Sequence, residues 1–366
     1  MGENHLTYFK IENFKRFDSF EMENIGQFNL IVGDNNVGKT SVLEGLLFDE
    51  DGVKYLIDTL STLVSRRIVQ KDNEGIVKLD MNMNIWSLFA RKLDIPVNVT
   101  AHFLHNNLTL SLELIKLKSV NESDRKSLQK MQLNVDNIFN FKEGLRFYSS
   151  NRHENFIPLN DELFNELNLT HYCPFIWTNI SYNYDILMFY YEHINSDKNV
   201  RKEFESNLRT FIPKLEEIRT QKFLQQTEML GVVLQDENGI YPITRFGDGV
   251  VKLTRILLEI LMAKGKRLMI DEIETGIHFS RLKDFWKTVI TLCEKYDVQL
   301  FATTHSLECQ KYFVYALAEL EEEDRKNARN ISLLENKEGN VESVTFDYEQ
   351  FEFALEIGAN TRGGER

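Results

Sequence analysis

An α/β fold built on a parallel sheet is predicted by three features of the chain. Arg267-Leu268-Met269-Ile270-Asp271-Glu272 and Gln299-Leu300-Phe301-Ala302-Thr303-Thr304-His305 are short, nearly unbroken apolar runs. Strands buried on both faces read this way. The segment Leu282–Tyr296 between them is amphipathic at helical spacing, so the two strands are joined by a helical crossover and run parallel. Finally, Phe28-Asn29-Leu30-Ile31-Val32-Gly33 is a third buried strand that runs into a glycine-bounded turn. A helix follows from Thr40 to Phe48, with Val42, Leu43, Leu46 and Leu47 on one face.

The other elements are read in chain order. Tyr8–Phe14 alternates like a strand near a sheet edge. Val97–Leu104 and Leu108–Leu117 form a strand pair turning at His105-Asn106-Asn107, and Arg146–Ser149 is a further strand. Helices are expected over Lys54–Val69, Ile180–Ile194 and Lys198–Leu215, while Asn121–Asn134 is a polar loop or helix. Val232-Val233-Leu234 is a strand, and Gly247-Asp248-Gly249 opens a helix carrying Val251, Leu253, Ile256, Leu257, Ile260 and Leu261. The middle third, 51–225, is expected to be an α+β insertion between segments 1–50 and 226–366. Its role is not legible.

The chain has 366 residues and a formal net charge of −13. That charge gives no support for nucleic-acid binding, which would need a local basic patch. Cys173, Cys293 and Cys309 match no zinc or redox spacing and are expected to be reduced thiols. With no membrane-length apolar run and no apolar leader core, a cytoplasmic location is expected.

Gly33-Asp34-Asn35-Asn36-Val37-Gly38-Lys39-Thr40 is the most specific motif. Its glycines permit a tight turn, and its backbone N–H groups and the helix start can cradle phosphate oxygens. Lys39 can reach the β- and γ-phosphates, and the Thr40 hydroxyl can ligate Mg²⁺. Asp271 ends a buried strand, where a carboxylate can hold Mg²⁺. Glu272, next to it, can polarise water as a general base. A strand-end acid pair can also cap a helix; its position downstream of the loop favours the metal reading. His305 closes the next strand and can contact a γ-phosphate. A lone strand-end histidine is more often structural, so its assignment rests on its spacing after Asp271-Glu272. Gly247-Asp248-Gly249 exposes backbone N–H groups at a helix start, a weak signal by itself.

In the order loop, glycine motif, carboxylate strand, histidine, these elements resemble the ABC-type ATPases, within them the branch of SMC, RecF and OLD proteins. Ile11-Glu12-Asn13-Phe14-Lys15-Arg16-Phe17 is similar to that branch's first strand. Asp271-Glu272-Ile273-Glu274-Thr275-Gly276-Ile277-His278 resembles its Walker B segment and D-loop. The ending, Phe346-Asp347-Tyr348 and Phe351–Ile357, is similar to stand-alone OLD-like ATPases of bacterial antiphage operons. The resemblance covers about 6–48 and 231–346. It implies an ABC-type head with a mixed or parallel sheet flanked by helices.

Residue by residue, the resemblance implies that Gly33, Asn35, Asn36, Gly38, Lys39, Thr40 and Ser41 bind ATP. Thr40 and Asp271 hold Mg²⁺, Glu272 is the base, and His305 is the switch histidine. Gly247, Asp248 and Gly249 match the signature motif that completes a second subunit's site, with the D-loop Glu274–His278 across that interface. Two departures stand out. The signature serine is missing, and the Q-loop glutamine is unassigned among Gln70, Gln129 and Gln132. A polar run at Ser149-Ser150-Asn151-Arg152 is read as a plain loop.

The expected function is an ATPase whose ATP-sandwiched heads pair as a homodimer or a higher even-numbered homo-oligomer. Pairing would regulate a separate effector, a Toprim or HNH nuclease, in antiphage defence of the PARIS, Septu or abortive-infection kind, with DNA or a phage protein as trigger. The alternative is a RecF- or SMC-like repair ATPase that binds DNA directly. Its candidate contacts are Arg66-Arg67 and the set Arg201, Lys202, Arg209, Lys214, Arg219 and Lys222. A helix expected to bear that set also carries Glu203, Glu205, Glu216 and Glu217, which favours a solvated mixed-charge face. A transporter ATPase fits less well, since no membrane-coupling surface can be named. No nuclease is expected in this chain, and the acidic run Glu319–Asp324 reads as a solvated helix end.

Overall fold

The computed structural model describes residues 2–49, 51, 54, 55, 58, 59, 62, 70, 71, 77, 78, 85–116, 143–150, 154–158, 173–178, 184–223 and 228–358. In chain order the elements begin β1 (Leu6–Phe14), β2 (Phe17–Met22), β3 (Phe28–Gly33) and α1 (Lys39–Gly45). The short pair β4 (Gln70–Lys71) and β5 (Val77–Lys78) precedes β6 (Val97–Phe103), β7 (Asn107–Lys116), β8 (Glu143–Ser149), β9 (Glu154–Pro158) and β10 (Phe175–Ile176). Next come α2 (Tyr184–His193), α3 (Lys198–Arg209), β11 (Leu215–Lys222), β12 (Glu228–Leu234), β13 (Ile240–Pro242) and α4 (Asp248–Met262). The chain continues through β14 (Arg267–Ile270), α5 (Leu282–Lys295), β15 (Gln299–Thr304), α6 (Leu307–Ala318) and α7 (Glu322–Lys326). It closes with β16 (Ala328–Glu335), β17 (Val341–Phe346) and α8 (Tyr348–Glu356).

The central sheet has the order β10-β14-β15-β3-β16-β17. All its neighbours are parallel except the last pair. Successive strand side chains point to opposite faces, and both faces here are covered. Leu30, Val32, Leu268, Ile270, Leu300 and Ala302 enter one core with residues of α4, α5 and α6. Ile31, Met269, Phe301, Ile331 and Leu333 enter the other core, with α1 and the second sheet. A strand buried on both sides has no position left for solvated side chains, which is why these runs read as continuous apolar stretches. Asn29 is the polar member of β3. Its amide is satisfied inside, donating to the carbonyls of Gly26 and Leu300 and accepting from the Gly26 N–H.

The second sheet is antiparallel, in the order β2-β1-β6-β7-β8-β9. The sequence expectation of a β6–β7 hairpin and a strand at β8 holds. α1 lies in the core shared by the two sheets, with Val42, Leu43, Leu46 and Leu47 fully or nearly fully buried. Strand pairing crosses both limits of the 51–225 segment: β1 pairs with β6, and β10 pairs with β14. β11, β12 and β13 form a separate three-stranded sheet.

One expectation is corrected. The helix predicted over Lys198–Leu215 ends at Arg209, and Leu215–Lys222 is a strand. Asp197 caps its start by accepting from the N–H groups of Asn199 and Val200. At its end the Arg209 guanidinium donates to the Leu215 and Glu216 carbonyls and turns the chain back, and Pro213 offers no N–H to continue the helix. The six basic residues therefore do not share one helix. Acids interleave with them: Glu217 pairs with Arg219, and Glu203 pairs with Lys295.

Asn121–Asn134, Arg66-Arg67, Gln129, Gln132 and Asn151-Arg152 lie outside the described residues, as does most of Lys54–Val69. All three cysteines are free, with Cys293 and Cys309 buried. No helix among the described residues is long and apolar enough to cross a membrane.

Candidate nucleotide site

β3 delivers the chain into the loop, where Asp34, Asn35 and Asn36 are exposed and Val37 is buried beneath them. Gly38 has φ 107°, and a Cβ there would lie 2.8 Å from Arg16 Cδ and from Phe17 Cζ. The β1–β2 turn thus presses on the loop closely enough to demand glycine. Lys39 folds back, its Nζ donating to the Gly33 and Asp34 carbonyls at 2.8 Å each. Burial pulls this ammonium below the ordinary lysine value, while the carboxylates of Asp271 and Glu272 pull the other way. Thr40 and Ser41 occupy the first turn of α1.

Thr40 ties the loop to the strand-end acids. Its hydroxyl lies 3.3 Å and 3.2 Å from the two oxygens of Asp271. Two further hydroxyls donate to the same carboxylate, Thr303 at 2.8 Å and Thr178 at 3.2 Å. An all-oxygen set of one carboxylate and neighbouring hydroxyls suits a hard cation such as Mg²⁺. The loop glycines and the buried Lys39 suit phosphate oxygens. The donor chemistry present therefore fits both groups.

Glu272 follows immediately, with its backbone at φ 44°. Its side chain accepts from the Thr275 hydroxyl at 3.4 Å and lies 3.6 Å from His305 Nδ1. The same ring nitrogen is 3.8 Å from Glu274, whose carboxylate also accepts from Thr304 at 2.7 Å. Lys39, Thr40, Asp271, Glu272 and His305 thus gather around the C-terminal ends of β3, β14 and β15, where α/β sheets place ligands.

Gly247, Asp248 and Gly249 do not join this cluster. Among the described residues no hydrogen bond or ion pair links them to Gly33–Ser41. Gly247 and Asp248 are exposed at the start of α4. Gly249 lies against the D-loop, where a Cβ would come 2.5 Å from the Gly276 carbonyl oxygen. His278 and Ser280 hydrogen-bond each other at 2.9 Å beyond that contact. Gln70 begins the short strand β4. Ser150 is tied by its N–H to Thr109 at the hairpin edge.

Three neighbours of the site went unnoticed in the sequence. Thr303 belonged to a visibly polar strand end. Lys252 was a lysine on the apolar stripe of α4, four residues before Ile256. Thr178 follows a two-residue strand and left no signal. Lys252 is almost wholly buried and donates from Nζ to the Glu272 carbonyl. Burial brings its pKa down to about 8, against the opposing pull of Glu274, Asp271 and Glu272.

That shift has a stability consequence. The unfolded chain holds this proton up to the ordinary lysine value, so it binds more protons than the folded chain between about pH 8 and 10.5. Folding free energy therefore improves as pH rises through that window. Relative to Lys252→Met, the wild type should gain roughly 2 kcal/mol between about pH 7 and pH 9.5 in denaturant melts. A wild-type-to-mutant difference that stays constant across that range would exclude a shifted Lys252.

The family model "AAA domain, putative AbiEii toxin, Type IV TA system" matches residues 28–308. An "ATP/GTP phosphatase" of Helicobacter pylori is 25% identical over 384 residues, covering 97% of this chain and 99% of that protein. The "DNA replication and repair protein RecF" of Haemophilus ducreyi is 31% identical over 90 residues, 24% of each chain. Among solved structures, the "SMC head domain from Thermotoga maritima" aligns at a TM-score of 0.43 and 10% identity, over 94% of this chain and 99% of that one. An Smc head from Pyrococcus furiosus, bound to the C-terminal domain of ScpA, aligns at 0.45 and 11% identity, over 96% of this chain and 99% of that one. A family match spanning the phosphate loop, the glycine motif, the carboxylates and His305 makes the chain a member of the family "AAA domain, putative AbiEii toxin, Type IV TA system".

Proposed function

We propose that this chain hydrolyses ATP as one of a pair of heads, and that pairing controls a separate effector protein. The observation that carries the reading is the Thr40 hydroxyl against the Asp271 carboxylate, which joins the phosphate loop to the strand-end acids. Segments 1–50 and 226–366 supply the proposed reacting groups, with 51–225 between them.

In the proposed mechanism Lys39 exchanges the Gly33 and Asp34 carbonyls for β- and γ-phosphate oxygens. Gly33, Asn35, Asn36, Gly38 and Ser41 cradle the remaining oxygens from the loop and the start of α1. Thr40 and Asp271 hold Mg²⁺, which supplies charge neutralisation at the phosphates when bound. Glu272 accepts a proton from the attacking water as its oxygen bonds to the γ-phosphorus and ADP leaves. His305, held beside Glu272 and Glu274, contacts the γ-phosphate. Gly247 and Asp248 are exposed, and with the half-buried Gly249 they lie apart from their own chain's loop, so they are offered to the loop of a second copy. Mass measurement in solution tests this: the mass should double with ATP and revert with ADP. A single-chain mass under both conditions would count against head pairing.

The effector reading, a Toprim or HNH nuclease in antiphage defence, draws on the resemblance of the chain's ending to stand-alone OLD-like ATPases. Among the described residues no group of three or more His, Cys, Asp or Glu side chains is placed to hold a metal ion. Purification from the native operon should bring down a nuclease subunit, and recovery of this chain alone would weigh against the effector. The RecF alignment keeps direct DNA binding as the competing reading, which predicts ATP-dependent DNA affinity that falls steeply with salt.

A further inference from the structure

Glu272 adopts φ 44°, a left-handed backbone conformation that non-glycine residues rarely hold unless their surroundings impose it. Side chains from two other elements grip the peptide groups on either side of it. The buried Thr303 hydroxyl, on β15, accepts the Glu272 N–H at 2.8 Å and gives its own proton to Asp271 Oδ1 at 2.8 Å. The ammonium of Lys252, on α4, donates to the Glu272 carbonyl at 2.5 Å. Both side chains are almost completely shielded from solvent. Neither belongs to the phosphate loop, the glycine motif or the acid pair.

We propose that Thr303 and Lys252 are positioning residues for the hydrolytic base, clamping the peptides before and after Glu272 so that its carboxylate stays between Thr275 and His305. Without the clamp, the main-chain bonds from Ile273 N–H to the Thr303 carbonyl and from Thr275 N–H to the Glu272 carbonyl remain, but the Glu272 N–H loses its acceptor, the strained backbone loosens toward the conformations its β-carbon prefers, and the carboxylate turns away. Thr303 does this while also orienting Asp271, so one hydroxyl sets both acids. The proposal rests on Glu272 as the base.

Thr303→Val keeps the side-chain shape and removes both hydrogen bonds, whereas Thr303→Ser keeps them. Thr303→Val should lower kcat for ATP by at least about tenfold while KM moves by no more than about twofold. Amide hydrogen exchange across residues 271–276 should quicken in the same variant. Thr303→Ser should return both readouts close to wild type. Lys252→Met should shift both in the direction of Thr303→Val, and it decides the matter if Thr303→Val does not fold. Wild-type kcat and wild-type exchange in Thr303→Val and Lys252→Met would overturn the clamp. So would equal losses in Thr303→Val and Thr303→Ser that merely follow their melting temperatures. Glu272→Gln measured alongside separates the two claims. Full turnover there refutes the base, while the exchange readout still reports on the clamp.

Discussion

Glu272→Gln should slow steady-state phosphate release by at least roughly a hundredfold, since general-base catalysis contributes about 10²–10⁴. ATP affinity should change little. Glutamine matches the carboxylate in size and can still accept from the Thr275 hydroxyl, as Glu272 does at 3.4 Å. It cannot take up the proton of an attacking water. The backbone at φ 44° is held by Thr303 and Lys252 through main-chain groups, which the substitution leaves alone. The ATP-bound pair should therefore accumulate, visible as a doubled mass that persists long after the wild type has reverted. Turnover equal to wild type would remove Glu272 as the base. Slow turnover without a persistent pair would retain the base and remove the link between hydrolysis and separation.

Lys39→Ala should weaken ATP binding by roughly 10- to 100-fold or more in a calorimetric titration, the equivalent of one or two charge-assisted hydrogen bonds. Lys39 is a buried ammonium whose partners are the carbonyls of Gly33 and Asp34. Burial pulls its pKa below the ordinary lysine value, which marks a cation kept partly desolvated inside the loop. Such a cation interacts strongly with an arriving polyanion because it has little water to shed. A melting curve recorded alongside shows whether the loop remains folded. Undiminished affinity in a folded variant would refute the role of Lys39.

Much of this was legible from local pattern. The runs that became β3, β14 and β15 were readable because strands covered on both faces admit only apolar side chains. The loop was readable because Gly38 meets Arg16 and Phe17 at a distance no Cβ tolerates. The helix after the carboxylates was readable because one apolar face repeats over Leu282–Lys295. The misreading of Lys198–Leu215 came from a charged, helix-favouring composition that continues past Arg209. What stops the helix is a tertiary hydrogen-bond pattern and Pro213, and the alternation of Leu215 and Ile218 in β11 was too short to outweigh it.

By itself, the sequence determined the loop, the acid pair, the strand-end histidine and their order, because each depends on residue type at close spacing. Only the tertiary structure decided what surrounds them. Thr178, Lys252 and Thr303 come from three distant parts of the chain and reach Asp271 or Glu272 because β10, α4 and β15 pack beside β14. A lone threonine or lysine carries no local mark of such a contact. Its meaning depends on which strand lies next to which, and pairing between strands is a property of the whole sheet.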